Sequence, residues 1–464
     1  ALSPTCTVTI PKGDEDLHSV ISRWSDLGVK LPFAVVVPST EEDIMAVVNF
    51  ASQNSLHVVP GGGGHGNFVP IDDKTIYLDM KKFNSVTVNK EESSVAIGGG
   101  AVVGDVLRAC VAEGCYALTG NSDAVGIAGY FLGGGNSFVT GVHGLAIDHV
   151  LSIRVVTASG SAITLTPSST GAEASLFAAL RGAGHGLTTI LSLTLRTFPI
   201  ASLALPSNKI WNRKLILPGS AIALAASLYT SLIPPPPPFL PVLIFGRAPP
   251  GTPAAGAPVI IISANYYGPA ASAELAAAPL LTAEAEAAAI VAETTLLDFA
   301  DMNKSSAPMS SHGGFKETYN TMLHAVTPAS IVSAFSQYVA FGDANPDAKA
   351  RSYAVLGSWS TGAQLANAAL PGNKTYFAHR DRGVFFQMTP WYTDVVTRPA
   401  TEEFARGVVR TLREADEEKG FKGVIFANNM IFGQEMGEVY TKEGLEEVRA
   451  VKREWDPKGV FWSP

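Results

Sequence analysis

The sequence predicts an α+β chain: a glycine-rich first part of short strands and helices, then a second part with an antiparallel sheet backed by helices. Three observations carry this. Up to about residue 200, short apolar runs alternate with stretches of helical periodicity. Glycine is concentrated, with 18 of the 44 glycines lying between Gly61 and Gly144, where tight turns or close backbone approach are needed. Composition then shifts: the five prolines Pro234–Pro238 read as a stiff, exposed connector. Beyond them apolar strands alternate with alanine-rich helical stretches.

Residues 14–57 read as helix, strand, helix, strand. Phe33–Val37 is a short apolar strand ended by Pro38. Ser39-Thr40-Glu41-Glu42-Asp43 caps a helix with Ile44, Val47, Val48 and Ala51 on one face. Ile76–Met80 is a strand, Val86–Val88 and Ser94–Ile97 form a pair, and Val102–Ala112 is an amphipathic helix. Strands follow at Leu151–Thr157, Ser161–Thr166 and Thr189–Phe198, with a helix at Leu176–Arg181. In the second part, Pro258–Tyr267 is a strand and Ala270–Glu293 is helical, interrupted at Pro279. Later strands are expected at Ala354–Trp359, Val384–Met388 and Gly423–Ala427, and helices at Thr401–Glu418 and Glu443–Trp455.

At 464 residues the chain can form two or three domains, and 47% apolar composition allows a large core. A net charge of −8 argues against nucleic-acid and anionic-membrane partners. The longest apolar stretches, Ala221–Ile233 and Ala276–Leu297, are too short or too interrupted to span a bilayer. Cys6, Cys110 and Cys115 leave at least one thiol unpaired within the chain; Cys6 suits a bond to Cys110 or Cys115, and three free buried thiols are the alternative. The triplets Asn303-Lys304-Ser305 and Asn373-Lys374-Thr375 match the N-glycosylation acceptor pattern. With the chain starting Ala1-Leu2-Ser3, they point to a secreted protein.

The centre of the first part is Leu56–Phe68, a buried strand running into Gly61-Gly62-Gly63-Gly64, then His65, Gly66 and Asn67. Consecutive glycines let backbone N–H groups converge into an anion-accepting nest, and His65 is the one titratable, nucleophilic side chain within it. A mobile turn with an idle histidine is the plain alternative. No His, Cys or Asp stands at metal-ligand spacing nearby. A dinucleotide fingerprint needs a helix after the glycines, and Pro70-Ile71-Asp72-Asp73 does not open one.

Four stretches in this order resemble the flavin domain of the vanillyl-alcohol oxidase / p-cresol methylhydroxylase superfamily, berberine-bridge-enzyme-like branch. They are Gly62–Gly66, Ala124–Gly126 through Gly133–Gly135, Gly144–Val150, and Leu176–Gly184. The resemblance covers residues 30–200, and Lys452–Pro457 with Phe461 resembles the closing helix. It implies a two-subdomain FAD-binding domain of p-cresol methylhydroxylase type over 1–200, a substrate domain over 201–425, and a segment, 426–464, returning to the FAD domain. FAD would be bonded to His65 alone. The backbone of Gly61–Gly66, with Asn67, and of Gly120, Asn121, Ser122, Val125, Gly126 and Gly129 would hold it, with Asp148, Gly186, Ile190 and Asn428 along its walls.

Three departures from the family pattern matter. Ser122 stands where many relatives carry a cysteine that makes a second flavin bond. Gly61 stands where an arginine is usual. Phe426-Ala427-Asn428-Asn429 stands where a pair of tyrosines flanks the asparagine, so Asn429 replaces the tyrosine that takes the substrate proton. Substitutes for that base are Tyr353, His379 and Glu317, or a water held by Gln387. The implied activity is hydride transfer from a hydroxyl-bearing, apolar or bulky molecule to FAD and then to molecular oxygen, giving hydrogen peroxide. A dehydrogenase with another acceptor, or a flavin-binding cyclase or scaffold with little redox turnover, are the alternatives.

Overall fold

The computed structural model describes residues 2–13, 17 and 20–462. The expected helix from residue 14 lies largely outside them. Thr40 caps the helix Glu41–Asn54, taking the N–H of Asp43 at 3.2 Å. The Asp43 carboxylate reaches back to the N–H groups of Thr40, Ser39 and Ser3. This capping box fixes where the chain leaves the first strand.

Three sheets carry the fold. In the first, Thr7–Thr9 runs antiparallel to Ala34–Val37, which continues in parallel through Thr75–Asp79 to His57–Gly61. The second is antiparallel, in the order Val86–Asn89, Ser94–Gly98, Thr189–Arg196, Val150–Val156, Ala162–Leu165. The third has seven antiparallel strands, in the order Val291–Asp298, Lys209–Pro218, Pro258–Tyr266, Phe239–Arg247, Tyr353–Ser358, Val384–Thr389, Tyr319–Leu323. One face of that sheet, with Leu243, Phe245, Leu356, Phe386 and Met388, is buried under the helices Ile222–Ser231, Pro328–Ala344 and Arg398–Glu417. Among the described residues no helix is long and apolar enough to cross a membrane.

Two expected elements differ. The helical stretch Ala270–Glu293 is three short pieces, Ala270–Ala276, Ala278–Leu281 and Ala283–Ala288, and Glu293 belongs to an edge strand opposite Lys214. Pro279 stops the first piece, and Thr282 caps a new one by accepting the N–H of Ala285. The strand expected at Gly423–Ala427 is a single bridge from Val424 to Met322. Beyond it the N–H of Phe426 is taken by the Asn320 side chain at 2.9 Å, and the chain tightens into a turn at Ala427–Asn429.

The thiols are all free. Cys6 packs on the first sheet and Cys110 and Cys115 lie in the cluster behind the second, so the expected bond to Cys6 is not formed. In both glycosylation triplets the asparagine side chain is engaged in hydrogen bonds. Asn303 is 3% exposed and its Nδ2 donates 2.8 Å to Asp123. Asn373 Nδ2 donates to the Asn367 carbonyl at 2.9 Å while its oxygen accepts from Arg181 at 2.7 Å.

Candidate flavin site and substrate face

The glycine loops pack backbone against backbone. A Cβ on Gly63 would lie 2.1 Å from the Ala124 carbonyl, and one on Gly126 would lie 2.6 Å from the Gly63 nitrogen. Gly64 closes on the Ser22 carbonyl in the same way. At Gly61 a side chain would meet the Tyr77 hydroxyl at 2.1 Å, so an arginine there has no room. Among the described residues, none of the N–H groups of Gly62–Gly66 or Asn121–Ala124 is given to a protein acceptor. Two facing rows of unspent donors suit a pyrophosphate.

Among the described residues His65 has no hydrogen-bond partner for either ring nitrogen, and its Nε2 is buried. Burial first, then His312, Lys316 and Arg23, push its pKa down to about 3. The imidazole is therefore uncharged, and a nucleophile, at neutral pH. Trp24 stacks on it with ring centroids 5.7 Å apart. Arg23 donates to the carbonyls of Gly66 and Val69 at 2.8 and 3.1 Å, supporting the loop from below. These residues fit a flavin attached at this histidine.

The remaining loop residues are less uniform. Ser122 Oγ lies 2.6 Å from Ser310 Oγ. Gly120 and Asn121 offer carbonyls to Asn303 and Ser306. Val125 is half-buried, and its carbonyl accepts from Val103. Gly129 accepts from His185 at 3.1 Å and Gly186 from Lys452 at 2.7 Å. Ile190 is buried in the second sheet against Gly99. Asn67 Nδ2 is committed to the Lys316 carbonyl. Asp148 is bound up in an ion pair with Arg380 at 2.7 Å, both side chains nearly fully buried, so its carboxylate acts as a fastener. Asn428 Nδ2 donates to the Tyr130 carbonyl at 2.7 Å, and its oxygen is buried without a partner beside Gly133.

Register settles which expected catalytic residues meet. Gln387 pairs with Val355 on one side and Asn320 on the other. Phe385 pairs with Gly357, Val355 stands opposite Ile244, and Gly357 opposite Val242. Alternate residues share a face, so Val242, Ile244, Val355 and Phe385 lie with Gln387 on the face away from the helices. All five are half-buried. Asn429 joins them, its Nδ2 donating 3.2 Å to Gln387 Oε1. Tyr353 shares that face, but burial pushes its pKa up to about 12. His379 instead lines a separate cleft with Tyr440 and Glu447. Glu317 points elsewhere, accepting from Tyr319 at 3.1 Å and facing Arg398 at 3.6 Å.

Sequence reasoning missed the cover over His65. Lys316 is 0% exposed, with its Nζ 3.8 Å from the Trp391 ring centroid and 4.6 Å from that of Trp24. Its carbonyl accepts from Ser25 and Asn67. These residues come from three distant parts of the chain, with no local motif to join them.

Comparison with known proteins agrees with this geometry. A family model described as an FAD binding domain matches residues 32–166. An FAD-linked oxidoreductase of Aspergillus fumigatus, hasG, is 28% identical, over 97% of this chain and 95% of the relative. The fold is that of Physcomitrella patens BBE-like 1, at TM-score 0.79 and 19% identity, covering 99% of this chain and 96% of that one. In its FAD-binding domain and in its fold the chain is similar to the vanillyl-alcohol oxidase / p-cresol methylhydroxylase superfamily, berberine-bridge-enzyme-like branch. The flavoprotein is an FAD-linked oxidoreductase. A glucooligosaccharide oxidase from Acremonium strictum, described with a 6-S-cysteinyl, 8α-N1-histidyl FAD, shares the fold at TM-score 0.76 and 20% identity, over 98% of this chain and 96% of that one.

Proposed function

We propose that this flavoprotein is an oxidase. A hydroxyl-bearing, apolar small molecule is dehydrogenated, molecular oxygen takes the electrons, and hydrogen peroxide is released. FAD, held by the two glycine loops and bonded once, to His65, supplies the hydride-accepting and oxygen-reducing chemistry. The observation that carries the reading is the uncharged imidazole of His65, without a hydrogen-bond partner among the described residues, beside those loops. Ser122 lacks the thiol for a second bond, and its hydroxyl is taken up by Ser310.

The chain's own groups then set what can react. Val242, Ile244, Val355 and Phe385 make an apolar floor, and Gln387 with Asn429 provides its polar spot. A polar sugar ring would lose water hydrogen bonds on that floor without replacement. Asn429 does not titrate; of the substitutes for the missing tyrosine, Tyr353 holds its proton, His379 lines the cleft of Tyr440 and Glu447, and Glu317 is turned to Arg398, which leaves a water held by Gln387, a weak base. A positioned base contributes about a hundred- to ten-thousand-fold. The substrate therefore has a C–H bond already weakened by its own conjugation, or an acidic hydroxyl.

The test is direct. The flavin is photoreduced without oxygen, air is admitted, and peroxide and flavin absorbance are followed together. Reoxidation within seconds with one peroxide per flavin is expected. Reoxidation over many minutes favours the dehydrogenase reading.

A further inference from the structure

The two amides at the polar spot leave a defined pattern of unused groups. A carboxamide has one oxygen that accepts and one nitrogen that donates. The bond from Asn429 Nδ2 to Gln387 Oε1 uses a donor of one and the acceptor of the other. Asn429 Oδ1 and Gln387 Nε2 remain. Among the described residues neither has a hydrogen-bond partner, and neither is buried. Exchanging oxygen and nitrogen in both amides at once preserves the bond and again leaves one donor and one acceptor. The pair is also held in place. Asn320 Nδ2 donates to the Asn429 carbonyl at 2.7 Å, and Gln387 stands between two ladder neighbours.

We propose that Asn429 and Gln387 together read the polar edge of the substrate, selecting a flat, apolar molecule with a hydrogen-bond donor beside an acceptor, as in a cyclic secondary amide. The inference rests on the reading that substrate lies on this face of the sheet. Its reasons are local. Neither amide carries charge, so an ionised group would enter uncompensated. The floor of Val242, Ile244, Val355 and Phe385 favours an apolar ring. Phe426, whose ring centroid lies 5.7 Å from that of Phe385, closes one side. A site built from such groups rejects analogues that leave them unpaired.

The experiment titrates the purified flavin-bearing protein with three bicyclic probes of nearly equal size and follows perturbation of the flavin absorbance. 1-Isoquinolone has the N–H donor beside the carbonyl acceptor. Its N-methyl derivative lacks the donor. Protonated 1-aminoisoquinoline offers two donors. Wild-type protein is expected to bind 1-isoquinolone about tenfold or more tightly than the N-methyl compound. Gln387→Glu keeps an oxygen for Asn429 Nδ2 but replaces the free donor with an acceptor. It is expected to lose about tenfold for 1-isoquinolone and to gain a similar factor for the aminoisoquinoline. Retained flavin absorbance shows that the variant is folded. Equal wild-type affinity for the first two probes, no binding of either, or an unchanged order in Gln387→Glu overturns the proposal. A protein without flavin absorbance fails the oxidase reading instead, and the same wild-type titration by calorimetry still decides the role of the amide pair.

Discussion

Arg380 grips Asp148 with two parallel hydrogen bonds, 2.7 and 2.8 Å long, in a pocket that leaves the two side chains 5% and 1% exposed. Asp148 also accepts the N–H of Leu145, so it joins the Gly144–Val150 turn to the loop around residue 380. Removing one member of such a pair strands the other charge away from water. Asp148→Asn is expected to cost about 3–5 kcal/mol in urea unfolding, with Arg380→Met added to it recovering much of the loss. The folded fraction should keep its flavin spectrum, because the carboxylate faces Arg380.

Asp43 gives an acid signature. Burial alone would raise its pKa, but the N–H groups of Ser3, Ser39 and Thr40 and the Ser3 hydroxyl outweigh this and hold it at about 2. The folded value lies below the ordinary 3.8. This stabilisation is therefore complete above that value and lost as pH falls through about 2. Asp43→Asn is expected to lose about 1–2 kcal/mol at neutral pH, in the range of a lost helix cap. Unfolding curves of the two proteins should converge as the pH falls towards 2.

Much of this was legible in the sequence, for identifiable reasons. The capped helix from Glu41, the strands around residues 76, 95 and 193, and the His65 loop are written in local signals: a capping box, apolar alternation, and glycines that exclude any side chain. What the sequence hid depends on distance. Tyr77 filling the space beside Gly61, Lys316 caged between Trp24 and Trp391, and Asp148 spent on Arg380 all join residues far apart in the chain. Asn429 was visible as a departure, but only the folded structure shows its hydrogen bond to Gln387 and puts His379 in the cleft with Tyr440 and Glu447.

Val125 offers a test of the oxygen step. It is half-buried in the loop that opposes Gly62–Gly64. In the resembled family a valine here goes with oxidases and a bulkier leucine with dehydrogenases. Val125→Leu is expected to slow reoxidation of the photoreduced protein about tenfold or more while leaving photoreduction unchanged, as stopped-flow absorbance would read; each tenfold is about 1.4 kcal/mol of barrier. Equal rates in the two proteins would remove this residue from oxygen access.

The central claim is that His65, and no other residue, carries the flavin. The measurement is acid precipitation of purified protein, followed by the colour of the pellet and mass spectrometry of its peptides. Wild-type pellet should stay yellow, with the flavin mass on the one peptide containing His65. The His65→Ala pellet should be colourless, with its flavin left in the supernatant. A colourless wild-type pellet, or flavin on a peptide containing Ser122 and lacking His65, would contradict the account.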